Sequence, residues 1–129
     1  MAGLVVVDTD LVVDFLRGKG EGVILVRTLL REQRLRLTAV TAFELRVGTD
    51  FLARRTDVLR LFRSRTVPMD PRAALRGGEV AADLRSRGQP IGFADCLQAG
   101  ICLHHGLPFA TRNRRHFDRV PELRLVDVP

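Results

Sequence analysis

The sequence contains no tyrosine and no tryptophan, and Lys19 is its only lysine. Tyr and Trp supply strong stacking platforms for nucleotide bases, so any contact with a nucleic acid should be made mostly to the phosphate backbone. The positive charge is carried almost wholly by arginine, and the net charge is +6. An arginine bias can reflect genome composition, but the guanidinium fork also grips phosphate through two hydrogen bonds, which favours a phosphate-rich partner.

The chain has only two cysteines, Cys96 and Cys102, and both fall on one predicted helix. Six residues correspond to about 600° of helical rotation, so the two thiols should point to different sides and cannot form a disulfide. Without a disulfide framework, a cytoplasmic location is expected. No apolar run approaches the roughly 20 residues that span a bilayer, and no basic segment precedes the first apolar run, so neither a membrane anchor nor a signal peptide is expected.

Several catalytic motifs are also missing. The sequence has no Cys or His cluster with zinc-ligand spacing, no GxxxxGK[ST] phosphate loop and no GxSxG nucleophile turn. The adjacent His104 and His105 would point about 100° apart on a helix, so they would not readily bind one ion together. Any chemistry therefore has to come from other side chains.

Short aliphatic runs typical of buried strands alternate with segments whose apolar residues recur at helical spacing. This order predicts a single domain over residues 1–129 with an α/β fold, in which helices cover both faces of a parallel sheet of four or five strands. The strands are predicted at 4–7, 35–40, 67–69, 107–110 and 123–128. The helices are predicted between Asp10 and Gly18, at 23–34, from Thr41 onward, and at 51–63, 73–87, 92–105 and 114–117.

Polar residues predict where two of these helices begin. Asp10 is expected to cap the first helix, and Thr41 the helix that contains Glu44, which follows at the capping-box spacing. The helix at 51–63 carries apolar residues, including Leu59 and Phe62, over about half of its circumference, which is wider than a minimal core stripe. This width predicts a second buried contact, such as a homodimer interface or a docking face for another protein.

Three acidic residues adjoin apolar stretches that should be buried: Asp8, Glu44 and Asp95. Asp8 directly follows the first aliphatic run, so it is expected at the edge of the sheet where the strands end and ligands bind. Carboxylates that converge near a core repel one another unless some are protonated or a cation neutralises them. A divalent ion is the usual neutraliser, so the three residues are candidate metal ligands.

Each of these acids also has a simpler explanation. Asp8 fits an ordinary strand-to-helix turn, Glu44 fits one half of a capping box, and Asp95 fits an exposed first-turn acid that the helix dipole favours. A non-enzymatic binding module, in which acids only cap helices, therefore remains an alternative. Failure to bind Mn²⁺ would favour it.

The polar segment that follows the fourth predicted strand can be read in two ways. It fits a simple loop with an Asn-assisted turn. It also fits a site in which hydroxyl and amide groups position a water or phosphate and arginines contact substrate phosphates. The residues concerned are Thr111, Asn113, Arg112, Arg114 and Arg115.

Taken in order, these segments resemble the PIN-domain family and, within it, the VapC-type toxins of bacterial toxin–antitoxin pairs. The resemblance runs almost end to end and rests on the segments 6–9, 41–45, 91–95, 107–113 and 117–123. It implies a three-layer α/β/α PIN-like fold, a Mg²⁺- or Mn²⁺-dependent endoribonuclease that acts on RNA, and inhibition by a VapB-like antitoxin.

The resemblance also implies roles for individual residues. Asp8, Glu44 and Asp95 match the three main acidic positions of the family, so they are expected to be catalytic and to hold the metal. Thr111 and Asn113 match a Thr-x-Asn-x-x-Asp-Phe pattern, in which Asn113 is the fourth expected catalytic residue.

His116 stands where that pattern has Asp, and Asp118 is the nearest carboxylate. We therefore expect the first metal site to be intact and a second one not to be fully occupied. A second enzymatic alternative is a metal-dependent phosphatase of the haloacid type, because Asp8-Thr9-Asp10 is similar to its Asp-x-Asp start. That family needs a downstream lysine, and Lys19 lies too early.

Overall fold

The computed structural model describes residues 3–128, and over this range five strands and seven helices follow one another. The strands are β1 Val5–Val7, β2 Leu35–Thr38, β3 Thr66–Val67, β4 Phe109–Ala110 and β5 Leu125–Val126. The helices are α1 Thr9–Arg17, α2 Gly22–Arg31, α3 Ala39–Val47, α4 Phe51–Phe62, α5 Pro71–Ser86, α6 Phe93–His105 and α7 Arg114–Phe117.

The strands form one parallel sheet in the order β3-β2-β1-β4-β5. β1 is central, because Val6 pairs with Arg36 of β2 on one side and with Phe109 of β4 on the other. The chain builds outward from β1 to β3 and then crosses to the opposite side, so the strand order reverses at β1. Side chains at the carboxyl end of β1 therefore lie at the switch point, where open α/β sheets bind ligands.

Helices cover both faces of the sheet, and the alternation of side chains along β1 separates the two cores. Val5 and Val7 pack with residues of α1 and α2 in one core, which includes Leu11 and Leu25. Val6 faces the opposite core, which is built with α5 and α6. The predicted three-layer fold with a five-stranded parallel sheet is confirmed.

Helices α5 and α6 cross at two glycines. A Cβ added at Gly100 would lie 2.3 Å from the backbone N of Gly77, and one at Gly77 would lie 2.9 Å from the carbonyl O of Cys96. Neither position has room for a side chain, so α6 packs directly on the backbone of α5. This contact places Asp95, in the first turn of α6, relative to the rest of the domain.

Both predicted helix caps were wrong. Asp8, rather than Asp10, caps α1, since its Oδ1 accepts the backbone N–H of the next residue at 2.8 Å and Asp10 lies within the first turn. Thr38 caps α3, because its hydroxyl oxygen accepts the backbone N–H of Thr41 at 3.3 Å. β2 consequently ends at Thr38, and the capping box predicted for Thr41 and Glu44 does not form.

Helix α4 is bent, which explains part of its wide apolar face. Arg54 has non-helical backbone angles (φ −120°, ψ 15°), and its Nη1 donates to the carbonyl O of Leu16 at 2.6 Å. The two halves of the helix therefore turn different faces to the core. Phe62 packs against the core, whereas Leu59 is 55% exposed. The interface predicted for this helix stays a prediction.

Both cysteines are buried, and both are free, in agreement with the prediction that they do not form a disulfide. Over residues 3–128, no helix has the length and apolar character needed to cross a membrane.

Candidate active site

Asp8 lies at the carboxyl end of β1 and is only 8% exposed. Its Oδ1 accepts a hydrogen bond from the Thr9 backbone N–H at 2.8 Å, and its Oδ2 accepts one from the Thr111 hydroxyl at 2.7 Å. Burial has the largest effect on the pKa of Asp8 and raises it, the two hydrogen bonds lower it, and the charges of Asp10 and Asp95 raise it further. The pKa is raised to about 6. Asp8 is thus held in surroundings that disfavour its charged form.

Asp95 lies in the first turn of α6, with a side chain that is 27% exposed. Burial raises its pKa, the hydrogen bond and charge of His116 lower it, and the charge of Asp10 raises it. Asp10 therefore acts on both other carboxylates, and we call Asp8, Asp10 and Asp95 the acidic cluster. From the sequence, Asp10 was expected to cap the first helix or to form part of the alternative Asp-x-Asp motif, and not to belong to this cluster. Its position in the first turn of α1, two residues after Asp8, was the signal that could have placed it here.

Glu44 belongs to a polar network beside this cluster. The Thr9 hydroxyl donates to Glu44 Oε1 at 2.5 Å and lies 3.0 Å from the Thr41 hydroxyl. Gln98 Nε2 donates to Thr41 Oγ1 at 3.0 Å, while Gln98 Oε1 accepts from the Thr38 hydroxyl at 2.5 Å. Gln98 is 1% exposed, and the sequence analysis missed it. A polar residue on the most apolar helix, three positions after Asp95, was the available signal.

The turn after β4 brings Thr111 and Asn113 to the site. Besides donating to Asp8, the Thr111 Oγ1 accepts the backbone N–H of Asn113 at 3.0 Å. The Asn113 side-chain amide lies 2.8 Å from His116 Nδ1, which in turn lies 3.6 Å from Asp95 Oδ2. An Nδ1 that accepts from the amide cannot also donate to Asp95, so the histidine tautomer decides which contact is made.

The three arginines of this segment lie in different environments. Arg112 Nη1 donates to Asp14 Oδ2 at 2.8 Å. Arg114 Nη1 lies 3.5 Å from a carboxylate oxygen of Asp127. Arg115 is exposed. The predicted phosphate contacts of these arginines stay predictions.

The acidic cluster offers the donor atoms that Mg²⁺ and Mn²⁺ prefer. Over residues 3–128, no three or more His, Cys, Asp or Glu side chains are already grouped as a metal cage. Mg²⁺ keeps several waters and needs only one or two protein carboxylates, so Asp8 and Asp95 can suffice. A cation would also relieve the like-charge repulsion that raises the pKa of Asp8. The residues present fit such an ion. Metal binding by Asp8, Glu44 and Asp95 stays a prediction, and Asp10 is a further candidate.

Comparison with known proteins agrees with this fold. The family model described as the PIN domain matches residues 5–123. The chain is 33% identical over 125 residues to the tRNA(fMet)-specific endonuclease VapC of Salmonella typhimurium strain LT2, covering 93% of this chain and 94% of that protein. It is 33% identical over 103 residues to the protein of the same name from Shigella flexneri, covering 76% of this chain and 78% of that one.

Solved structures give the same result. The DNA-bound VapBC structure from Salmonella typhimurium matches with a TM-score of 0.81 at 29% identity, covering 99% of this chain and 100% of the other. The FitAcB structure from Neisseria gonorrhoeae matches with a TM-score of 0.79 at 25% identity, covering 96% and 97%. The chain belongs to the PIN domain family. The family predicted from the sequence is confirmed.

Proposed function

We propose that this protein is a metal-dependent endoribonuclease and the toxin of a VapBC-like toxin–antitoxin pair. The observation that carries the proposal is the position of the acidic cluster. Asp10 and Asp95 lie close enough to the buried carboxylate of Asp8 to raise its pKa, and Asp8 lies at the switch point of the sheet. The names of the two VapC relatives support RNA as the substrate. PIN domain membership disfavours the haloacid-type phosphatase and the non-enzymatic module.

The residues in and around the cluster would have different roles in hydrolysis. A bound Mg²⁺ or Mn²⁺ would supply Lewis acidity for the phosphodiester and lower the pKa of a water nucleophile. Asp8 and Asp95 would hold the ion, directly or through water. Glu44, fixed by its 2.5 Å hydrogen bond from Thr9, would be a ligand or would orient the attacking water. Thr111 and Asn113 would position water or phosphate.

This activity has a direct test. The purified protein should cleave RNA with Mg²⁺ or Mn²⁺, lose all cleavage in excess EDTA and regain it when the metal is restored. It should not hydrolyse p-nitrophenyl phosphate, because a phosphatase of the haloacid type needs a lysine that this site lacks. Hydrolysis of that compound without RNA cleavage would replace the proposal with a phosphatase, and failure to bind Mn²⁺ by calorimetry would favour a binding module.

His116→Asp should create or tighten a second ion site. The imidazole lies 3.6 Å from the Asp95 carboxylate, so a carboxylate at position 116 would add negative charge beside the cluster. One further carboxylate lowers the cost of holding two cations close together. Calorimetric titration with Mn²⁺ should then give a higher stoichiometry or a tighter second phase than the parent protein.

His116→Asn is a matched control for this prediction. It places a neutral side chain of nearly the same size as Asp at the same position, so it adds no negative charge beside Asp95. Its Mn²⁺ titration should match that of the parent protein. Identical titrations for His116→Asp and the parent would show that position 116 does not contribute to an ion site.

The proposed antitoxin should place a basic side chain in the acidic cluster. An Arg or Lys there would take over the electrostatic role of the metal and block substrate phosphate. Co-expression with a VapB-like antitoxin should yield a tight, inactive complex that binds Mn²⁺ at least about tenfold more weakly. Unaltered Mn²⁺ affinity in a tight, inactive complex would place inhibition elsewhere.

Light scattering on the toxin alone tests the proposed homodimer, and cell fractionation tests the proposed cytoplasmic location.

A further inference from the structure

Asp14 is a buried carboxylate that the proposed chemistry does not use. It lies on α1 with a side chain that is 13% exposed, and its Oδ2 accepts two hydrogen bonds. One comes from the backbone N–H of Gly22 at 3.0 Å, and the other from Arg112 Nη1 at 2.8 Å. A carboxylate removed from water to this degree needs such charge-assisted partners, because its desolvation is otherwise costly.

The loop between α1 and α2 is shaped around this carboxylate. Gly20 has φ +118°, and a Cβ there would lie 2.5 Å from the carboxylate carbon of Asp14. A Cβ at Gly22 would lie 2.2 Å from the carbonyl O of Leu11. Two glycines therefore let the backbone wrap closely enough for the Gly22 N–H to reach Asp14. The Gly22 N–H thus holds the carboxylate locally, and Arg112, 98 positions away in the sequence, donates the second hydrogen bond.

Arg112 lies between the two residues of the turn that serve the site. Thr111 donates to Asp8 at 2.7 Å, and the Asn113 backbone N–H donates to the Thr111 hydroxyl at 3.0 Å. Asp8 caps the start of α1, and Asp14 lies on the same helix. The helix thus holds this turn at two points, through the Thr111 hydroxyl at Asp8 and through the Arg112 guanidinium at Asp14.

We propose that Asp14 and Arg112 form a positioning pair that fixes the turn of residues 111–113 on α1, so that Thr111 and Asn113 stay in place at Asp8. The proposal rests on the nuclease function proposed above. It differs from the sequence-based prediction for Arg112, because it assigns the guanidinium to Asp14 rather than to substrate phosphate. Neither member of the pair touches substrate, and both act through Thr111 and Asn113.

Kinetics of Asp14→Asn and Arg112→Ala separate the two roles of Arg112. Loss of a residue that orients a site residue typically costs about 10–100-fold in activity. Both variants should lower kcat by about that factor and leave KM for RNA within about twofold. The kcat of the double variant should be no lower than that of either single variant, since both substitutions remove the same contact. A phosphate role for Arg112 instead predicts a raised KM for Arg112→Ala and an undiminished kcat for Asp14→Asn, and that pattern would overturn the proposal.

Amide hydrogen exchange gives a second readout that needs no activity. The Asn113 N–H should exchange about fivefold faster in both variants, as expected when a hydrogen bond worth about 1 kcal/mol is loosened. Asp83→Asn is the control, because it breaks an exposed 2.7 Å ion pair with Arg87 on α5. Its kcat and Asn113 exchange should match the parent protein. Unchanged Asn113 exchange in Arg112→Ala, whose mutated side chain is 40% exposed and so tolerates truncation, would refute the pair.

The two proposals fail in different ways. A parent protein that cleaves no RNA under any metal would overturn the proposed function, while the exchange rates would still decide whether Asp14 and Arg112 hold the turn. A cleaving parent with unchanged exchange in both variants would overturn the positioning pair alone.

Discussion

Asp8→Asn and Asp95→Asn should each reduce RNA cleavage by about 10²–10³-fold or more while the domain stays folded. Either change removes one of the two carboxylates proposed to hold the ion, and losses of this size follow from removing one group that stabilises charge in a transition state. Initial rates at saturating Mg²⁺, with circular dichroism to check the fold, measure the effect. Asp57→Asn, an exposed acid on α4, should cleave at the parent rate. An active Asp95→Asn protein at ordinary Mg²⁺ would refute the site.

The same Asp8 variant should be more stable than the parent protein when no metal is present. The pKa of Asp8 rises from 3.8 to about 6 on folding, so ionisation opposes folding. A shift of this size corresponds to roughly 3 kcal/mol. The penalty is absent below about pH 4, grows as the pH rises through the interval to 6, and is complete at neutral pH. Denaturant unfolding in EDTA should therefore give a higher free energy of unfolding for Asp8→Asn than for the parent protein at pH 7.5. The two free energies should become equal as the pH falls towards 4.

Gly100→Ala should be the most destabilising single methyl addition in the α5–α6 contact. The new Cβ would lie 2.3 Å from the Gly77 backbone N and 2.7 Å from the Ala73 carbonyl O, and backbone atoms cannot move aside as a flexible side chain can. Overpacking of this kind typically costs 1–3 kcal/mol, and we expect about 3 kcal/mol because two helix backbones must separate. Thermal unfolding in EDTA measures the loss.

Gly78→Ala is the matched control for that prediction. Gly78 lies on α5 beside Gly77, but a Cβ there would have nothing within 4 Å. Replacing an exposed helical glycine with alanine should stabilise the protein by about 0.5–1 kcal/mol. The two variants should therefore shift the melting temperature in opposite directions. A Gly100→Ala protein as stable as the parent would mean that α6 can move away from α5 at little cost.

The sequence predicted the elements and acids that depend on local patterns. Asp8 and Asp95 could be found because each adjoins an apolar run, and the alternation of runs predicted a parallel sheet with Asp8 at its edge. The caps were missed because one residue can serve two purposes. Asp8 directly follows β1 and caps α1, and Thr38 is the last residue of β2 and caps α3. A pattern of residue types does not show which of two neighbouring polar residues caps the helix.

The rest of the site depends on contacts that no local pattern encodes. The Thr38–Gln98 hydrogen bond joins residues 60 positions apart, and the Arg112–Asp14 bond joins residues 98 apart. Such pairs are determined by how α6 and the turn after β4 pack on the sheet. Gln98 was not singled out from the sequence, and Arg112 was predicted to contact substrate phosphate, because a local pattern cannot show that their partners are Thr38 and Asp14.

The central position of β1 has a consequence for the order in which the site is completed during synthesis. β1 gains its second neighbouring strand only when β4 pairs with it. The hydrogen bond that joins Thr111 to Asp8 closes a loop of 103 residues. Contacts between residues this far apart in the sequence form late, because the entropy cost of closing the intervening loop must be overcome first. A nascent chain therefore carries Asp8 and Asp95 without the closing turn until the residues up to Thr111 have left the ribosome. The proposed active site is completed only after β4 and the turn that follows it have been synthesised.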